Sequence, residues 1–159
     1  MTDFRALLSA LTGAGVEFLI VGGAAATAHG ASRLTLDLDI VYRRTPANIE
    51  RLAASLRHLN PYLRGAPPGL PFHCDHETIS RGLNFTLSTV AGDLDLLGEI
   101  TGGGNYDDLL PDTIGLELFG IRCHCLSLSR LIQVKRALGR PKDLDAIAEL
   151  EAINEEQDG

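Results

Sequence analysis

Two aspartates interrupt a hydrophobic strand pattern in the first third of the chain. Residues 34–41 read LTLDLDIV, in which Asp37 and Asp39 alternate with leucine and isoleucine. Aspartate is disfavoured in strands, and a side-chain period of two sends the apolar residues to one face and both carboxylates to the other. Two negative charges about 7 Å apart on one strand face repel each other unless a cation lies between them. The pattern therefore predicts a site for a hard divalent cation, Mg²⁺ or Mn²⁺.

A glycine pair precedes these aspartates and predicts a phosphate-binding turn. Gly22 and Gly23 follow the apolar run VEFLIV and open an alanine-rich helix that Gly30 can end. The N-terminus of a helix presents free amide groups to an anion, and glycine lets a phosphate approach the backbone closely. The segment VGGAAA lacks the Gly-x-Gly-x-x-Gly of dinucleotide-binding turns. The phosphate is therefore expected to belong to a metal-bound substrate and not to a dinucleotide.

A third carboxylate, Asp95, lies between two leucines in the second strand of a predicted hairpin. Three carboxylates on neighbouring strands can hold two metal ions about 3.5 to 4 Å apart, which activates an attacking oxygen and stabilises a leaving pyrophosphate. Asp95 is also the expected catalytic base. Asp93 lies two residues earlier on the same face and is the alternative third acid, although its predicted turn position is an ordinary place for aspartate.

Positive side chains are needed to hold the phosphates of such a substrate. Arg33, Lys135 and Lys142 are the candidates in this sequence. For the lysines, a solvated helix face is the alternative interpretation, because Asp143 and Asp145 follow in the same segment and the net charge there is small. A positioned lysine is thus favoured over a nucleic-acid patch.

Size and charge narrow the class of protein. The 159 residues predict a single domain over 1–159, with a catalytic core at about 14–125 and a helical tail at about 126–156. The net charge of −7 disfavours a general nucleic-acid surface, so that any basic patch must be local. The first residues lack a signal-peptide pattern and no apolar run is long enough for a membrane span, which predicts a cytoplasmic protein without membrane contact.

Helices and strands alternate along the sequence, which predicts an α/β (α+β) fold with a mixed central sheet, flanking helices and a helical C-terminal tail. Strands 16–21, 36–42 and 93–98 are expected side by side, with the helix after Gly23 pointing its N-terminus at the acids. The remaining expectations are helices at 2–13, 46–59 and 106–110, an irregular segment at 60–82, a hairpin of 83–90 and 94–100, strands at 114–119 and 121–126, and a tail helix at 128–153 interrupted at Gly139 and Pro141.

The glycine pair and the aspartates also carry a family resemblance. Gly22 and Gly23, thirteen further residues and then Asp37-Leu38-Asp39 resemble the signature of the polymerase-beta-like nucleotidyltransferase superfamily. The strings HGASRLTLDLDIV (29–41) and KRALGRPKDLDAI (135–147) are similar to the AbiEii and MenT type toxin nucleotidyltransferases.

The resemblance spans about residues 16–147 and implies magnesium, a nucleoside triphosphate, and transfer of a nucleotide to an acceptor hydroxyl on transfer RNA, a protein or a small molecule. It implies that Gly22 and Gly23 hold phosphates, that Asp37 and Asp39 bind metal, and that Asp95 completes the triad. It also implies a cognate antitoxin or toxin as partner.

Two alternatives stay open. The segments HCDH (73–76) and CHC (123–125) contain zinc-ligand types, although neither has the usual two-residue spacing, and buried thiols are favoured for Cys74, Cys123 and Cys125. The second alternative concerns function: a catalytically weak nucleotide-binding partner, or an antitoxin-like module that acts by protein–protein interaction.

Overall fold

The computed structural model describes residues 2–32 and 35–158, which form a seven-stranded sheet with helices packed around it. The helices are α1 (Phe4–Gly13), α2 (Gly22–Ala28), α3 (Pro46–Leu56), α4 (His76–Arg81), α5 (Tyr106–Leu109), α6 (Leu128–Leu138) and α7 (Pro141–Asp158). The strands are β1 (Phe18–Val21), β2 (Asp37–Tyr42), β3 (Tyr62–Leu63), β4 (Phe85–Thr89), β5 (Gly92–Leu97), β6 (Glu99–Ile100), β7 (Gly104–Asn105), β8 (Thr113–Leu118) and β9 (Ile121–Leu126).

The sheet is mixed and has the order β3-β4-β5-β2-β1-β9-β8, while β6 and β7 form a separate small ribbon. Strand β2 runs parallel to β5 and antiparallel to β1, and β1 runs parallel to β9. The expected neighbours 16–21, 36–42 and 93–98 are therefore adjacent strands, and the predicted mixed sheet with flanking helices and a C-terminal helix is confirmed. All four residues of β1 are buried, as its central place requires.

Helix ends are fixed by local signals that the sequence contains. Asp3 accepts a hydrogen bond from the amide of Ala6 at the start of α1, and Thr45 accepts one from the amide of Asn48 at the start of α3. Gly139 ends α6 in the left-handed conformation at φ +64°, which glycine adopts without strain. The next helix then begins at Pro141, as expected of a residue with a fixed φ.

Three expectations on local structure were wrong. The segment 60–82 is not irregular throughout, since it contains β3 and the helix α4, which begins after Asp75 accepts a hydrogen bond from the amide of Thr78. Residues 57–59 form a 3₁₀ turn instead of continuing α3. Asp93 does not lie in the hairpin turn, because β5 begins at Gly92 and the connection from β4 has only two residues.

Within residues 2–32 and 35–158, no helix is both long and apolar enough to cross a membrane.

Candidate functional site

The register of two parallel strands brings the predicted aspartates together. Strands β2 and β5 pair so that Asp37 lies opposite Asp93 and Asp39 lies opposite Asp95. One carboxylate oxygen from each of Asp37, Asp39 and Asp95 lies within 4.8 Å of the other two. The three acids therefore face the same side of the sheet, at the distances that ligands of a shared cation require.

The glycine turn lies directly against this cluster. A Cβ atom on Gly22 would come within 2.3 Å of the Asp39 Oδ2, and the φ of Gly22 is +64°. A Cβ atom on Gly23 would come within 2.8 Å of the Thr35 Oγ1. Both space and backbone conformation thus require glycine at position 22. The start of α2 meets the acids, as expected from the sequence.

Asp39 is the electrostatically perturbed member of the cluster. Burial is the main cause that raises its pKa to about 8, and a hydrogen bond with Asp95 and the charges of Asp95 and Asp37 raise it further, against a lowering by Arg64. In the described part of the chain, the buried Asp39 Oδ1 has no hydrogen-bond partner. Such an orphaned oxygen beside two carboxylates fits a hard divalent cation, which prefers oxygen ligands.

An arginine that the sequence reading missed compensates part of this charge. Arg64 follows β3 directly and donates a hydrogen bond from its Nη2 to the Asp95 Oδ1 at 2.7 Å. Its Nη1 lies 3.7 Å from the Asp37 Oδ2, and its Nε lies 3.5 Å from the Asp93 Oδ1. No motif marks Arg64 in the sequence, because only the pairing of the two-residue strand β3 with β4 brings it to the acids.

A cavity of about 520 Å³ opens beside the cluster. Gly22, Gly23 and Asp39 line one part of it, and the cations Lys135, Arg140 and Lys142 line another. Its apolar lining includes Leu97, Ile100, Leu126, Leu131, Val134 and Leu138. Both predicted lysines thus reach the space beside the acids. The predicted Arg33 lies outside the described residues.

The tail helices organise the cations of this cavity through one buried carboxylate. Asp143 is only 1% exposed and accepts two hydrogen bonds from Arg140, at 2.6 Å from its Nε and 3.2 Å from its Nη2. The Lys135 Nζ lies 3.7 Å from the same carboxylate. The hydrogen bonds from Arg140 lower the pKa of Asp143. From the sequence, Asp143 is expected only to offset the charge of the tail, whereas in the structure it holds two cations.

A neighbouring cavity of about 350 Å³ shares two walls with the first. Gly23 and Lys135 line both cavities, and Asp37 lines the second one. Asp39 therefore lines the first cavity and Asp37 lines the second. This arrangement has room for a donor and an acceptor of a transferred group.

The cysteines do not form a metal centre in the described part of the chain, where the three-residue metal-ligand group consists of the aspartates alone. Cys123 and Cys125 are buried, as expected for structural thiols. Burial raises the pKa of Cys74 to about 11 and that of Cys125 to about 12, so both are protonated thiols at neutral pH. His29 places its Nε2 2.8 Å from the carbonyl oxygen of Leu126 and takes no part in the cluster.

The architecture is similar to that of a solved structure from Thermotoga maritima, described as a "putative nucleotidyltransferase". The TM-score is 0.58 and the sequence identity is 16%, over 91% of this chain and 88% of that chain. The chain therefore has a nucleotidyltransferase-like fold. The sequence itself matches no protein-family model and no curated protein.

Proposed function

We propose that this protein is a magnesium-dependent nucleotidyltransferase, which moves a nucleoside monophosphate from a nucleoside triphosphate to an acceptor hydroxyl. The observation that carries the proposal is the convergence of Asp37, Asp39 and Asp95 beside the Gly22–Gly23 turn. The nucleotidyltransferase-like fold supports the same class of reaction. A cavity with acids at one wall and cations at another suits a metal-bound triphosphate.

In this proposal Asp37, Asp39 and Asp95 hold Mg²⁺ or Mn²⁺. When bound, such an ion neutralises the developing charge on the phosphates and lowers the pKa of the attacking hydroxyl. The amides of Gly22 and Gly23 and the cations Lys135 and Lys142 orient the triphosphate, and Arg33 is the further candidate for this task. Asp95 accepts the proton of the acceptor hydroxyl, whose oxygen bonds to the α-phosphorus as the bond to the pyrophosphate oxygen breaks.

We further propose transfer RNA or a partner protein as the acceptor, and a place for the chain in a cytoplasmic toxin–antitoxin pair. This rests on the resemblance of residues 29–41 and 135–147 to AbiEii and MenT type toxins. The second of these segments includes Lys135, Arg140, Lys142 and Asp143, which line the same cavity as Asp39. A catalytically weak binding module is the competing proposal.

The test is transfer of label from each of the four α-³²P nucleoside triphosphates to total RNA and to total protein of the host. Wild type should transfer label to RNA or to protein, and this transfer should require Mg²⁺ or Mn²⁺. Asp37→Asn, Asp39→Asn and Asp95→Asn should each lower the rate by about a hundredfold or more, and double variants should be little worse than the singles.

Asp93→Asn is the matched control, because it removes the same charge from β5 without touching the three proposed ligands. It should keep most of the activity. If wild type labels neither acceptor and Asp37→Asn binds nucleotide as well as wild type, the enzyme proposal fails and the binding module takes its place.

A further inference from the structure

Hydrogen bonds from both its backbone and its side chain hold Arg64 beside the acidic cluster. Its amide donates a hydrogen bond to the carbonyl oxygen of Thr86 at 2.9 Å, and its Nη2 donates one to the carbonyl oxygen of Leu87 at 2.8 Å. Its side chain is only 27% exposed. Both ends of the residue are thus fixed to β4, and the guanidinium has a defined position over the carboxylates.

The Arg64 guanidinium forms ion pairs with three carboxylates. It donates a hydrogen bond to Asp95 and makes longer ion pairs with Asp37 and Asp93, which lie opposite each other in the β2–β5 register. Each of these acids has Arg64 as its ion-pair partner in the described part of the chain. Arg64 therefore supplies the positive charge that lets the acids stay together without a metal.

Two of the three carboxylates are also proposed metal ligands. Arg64 engages the Asp95 Oδ1 and lies near the Asp37 Oδ2, so that an incoming dication meets a fixed positive charge beside two of the carboxylates that would bind it. Like charges at such short separations repel strongly in a partly buried site. A triphosphate brings several negative charges into the same place and offsets this repulsion.

We propose that Arg64 is a resident counter-cation that competes with the metal ion in the free protein and so makes metal loading depend on the nucleotide. This inference rests on the proposed function, because it takes Asp37, Asp39 and Asp95 as metal ligands. A merely structural arginine would have the opposite effect: its loss would loosen Asp95 and weaken metal binding.

The experiment is a titration with Mn²⁺ alone, followed by the loss of the free-ion EPR signal at fixed pH and ionic strength. Wild type is compared with Arg64→Gln, which removes the charge, and Arg64→Lys, which keeps it. Arg130→Gln is the matched control, because Arg130 is similarly half-buried and ion-paired, with Asp112, away from the acids. Each protein is titrated again with a non-hydrolysable nucleoside triphosphate analogue.

Without nucleotide, Arg64→Gln should bind Mn²⁺ at least about tenfold more tightly than wild type, while Arg64→Lys and Arg130→Gln stay within about threefold of it. With the analogue, the difference between Arg64→Gln and wild type should shrink. Equal or weaker Mn²⁺ binding by folded Arg64→Gln would overturn the inference and leave the proposed function standing. Absence of Mn²⁺ binding in every variant, with and without the analogue, would overturn both.

If Arg64→Gln fails to fold, wild type answers the question by NMR of the arginine side chains. With the Arg64 signal assigned from the Arg64→Lys spectrum, Mg²⁺ should shift the Arg64 Nε–H resonance and speed its exchange with water as the carboxylates turn to the metal. An unchanged Arg64 resonance at saturating Mg²⁺ would contradict competition between the two cations.

Discussion

Asp39 is the residue of the site whose burial as a carboxylate costs the most free energy. Its carboxyl lies between Gly22 and Asp95, and its Oδ1 has no hydrogen-bond partner in the described part of the chain. An unpaired buried carboxylate is costly, which is why burial raises its pKa to about 8. Asp39 therefore carries a proton at neutral pH, which a cation bound at the proposed site would displace.

This shift predicts how stability depends on pH. The folded protein keeps a proton on Asp39 up to about pH 8, whereas the unfolded chain releases it near the ordinary pKa of 3.8. The contribution of Asp39 is therefore fully present below pH 3.8 and is lost as the pH rises through about 8, at roughly 1 kcal/mol per pH unit. Asp39→Asn should flatten this dependence.

The measurement is urea unfolding of wild type and Asp39→Asn between pH 5 and pH 8 with EDTA present. Asp145→Asn, an exposed substitution of the same kind in α7, is the control and should follow wild type. Parallel pH profiles for wild type and Asp39→Asn would show that Asp39 is ionised in both states.

At the scale of secondary-structure elements, the start of helix α2 packs against Asp39 of strand β2 and so helps to position the site. Gly22→Ala places a methyl group on the Asp39 carboxylate at a residue whose φ is +64°. We expect a loss of about 2 to 4 kcal/mol of unfolding free energy, from strain and from displacement of Asp39, and weaker Mn²⁺ binding.

Gly139→Ala separates these two causes. Gly139 has the same φ of +64°, but its added Cβ would lie 3.6 Å from the nearest carbonyl oxygen, which is ordinary contact. It should lose about 1 to 2 kcal/mol and keep its Mn²⁺ affinity. Thermal unfolding and Mn²⁺ titration of both variants check this, and equal Mn²⁺ affinities would exclude a role of Gly22 in seating Asp39.

Helix α6 contributes the least exposed of the three cations that line the cavity. Lys135 is 19% exposed at its side chain and paired with the buried Asp143. Lys135→Ala should raise the KM for the nucleoside triphosphate by about tenfold and leave kcat within about threefold, because a lysine on a triphosphate acts mainly as a binding charge.

Arg136→Ala is the control from the same helix. Arg136 pairs with Glu151, is 58% exposed, and is absent from the lining of either cavity beside the acids. Its loss should leave both kinetic constants near those of wild type. A drop in kcat as large as the rise in KM for Lys135→Ala would instead place Lys135 in transition-state stabilisation.

At the scale of the whole molecule, the tail and the sheet share one hydrophobic core. Ile147 and Leu150 of α7 are buried in the same cluster as the central strands. We therefore expect one cooperative unfolding transition for the chain. Far-UV circular dichroism, tyrosine fluorescence and hydrogen exchange of α7 amides should give the same urea midpoint. An earlier loss of α7 protection would divide the chain into a core and a separately folding tail.

The sequence predicts the parts of the site that follow from strand periodicity. Alternation sends Asp37, Asp39 and Asp95 away from the core, and the pairing of two adjacent strands, β2 and β5, suffices to bring them together. It does not predict Arg64, because its place depends on pairing between β3 and β4, and two strand residues carry no periodic signal.

Sequence pattern also does not predict which charged residues of the C-terminal tail are buried. The sequence around Lys135 and Asp143 allows both a phosphate-binding lysine and a solvated surface of mixed charge, since pattern alone does not show which side chains α6 and α7 bury between them. Asp143 pairs with Arg140 three residues before it, and across the turn at Gly139 it meets Lys135 of α6. Arg33, also expected at the phosphates, stays a prediction.

The parallel pairing of β2 with β5 has a consequence for how the chain tolerates insertions. These strands are joined through about fifty residues of intervening chain, so that no turn between them sets their alignment, whereas the two-residue connection from β4 leads directly into β5. Extra residues in the long segment between β3 and α4 leave the alignment intact. One extra residue inside β5 would turn Asp95 toward the core and Leu94 or Leu96 toward solvent, at the same step. The strand register that buries the leucines of β5 is therefore the same register that places Asp95 beside Asp39, so a chain with a correctly packed core also has its acids in place.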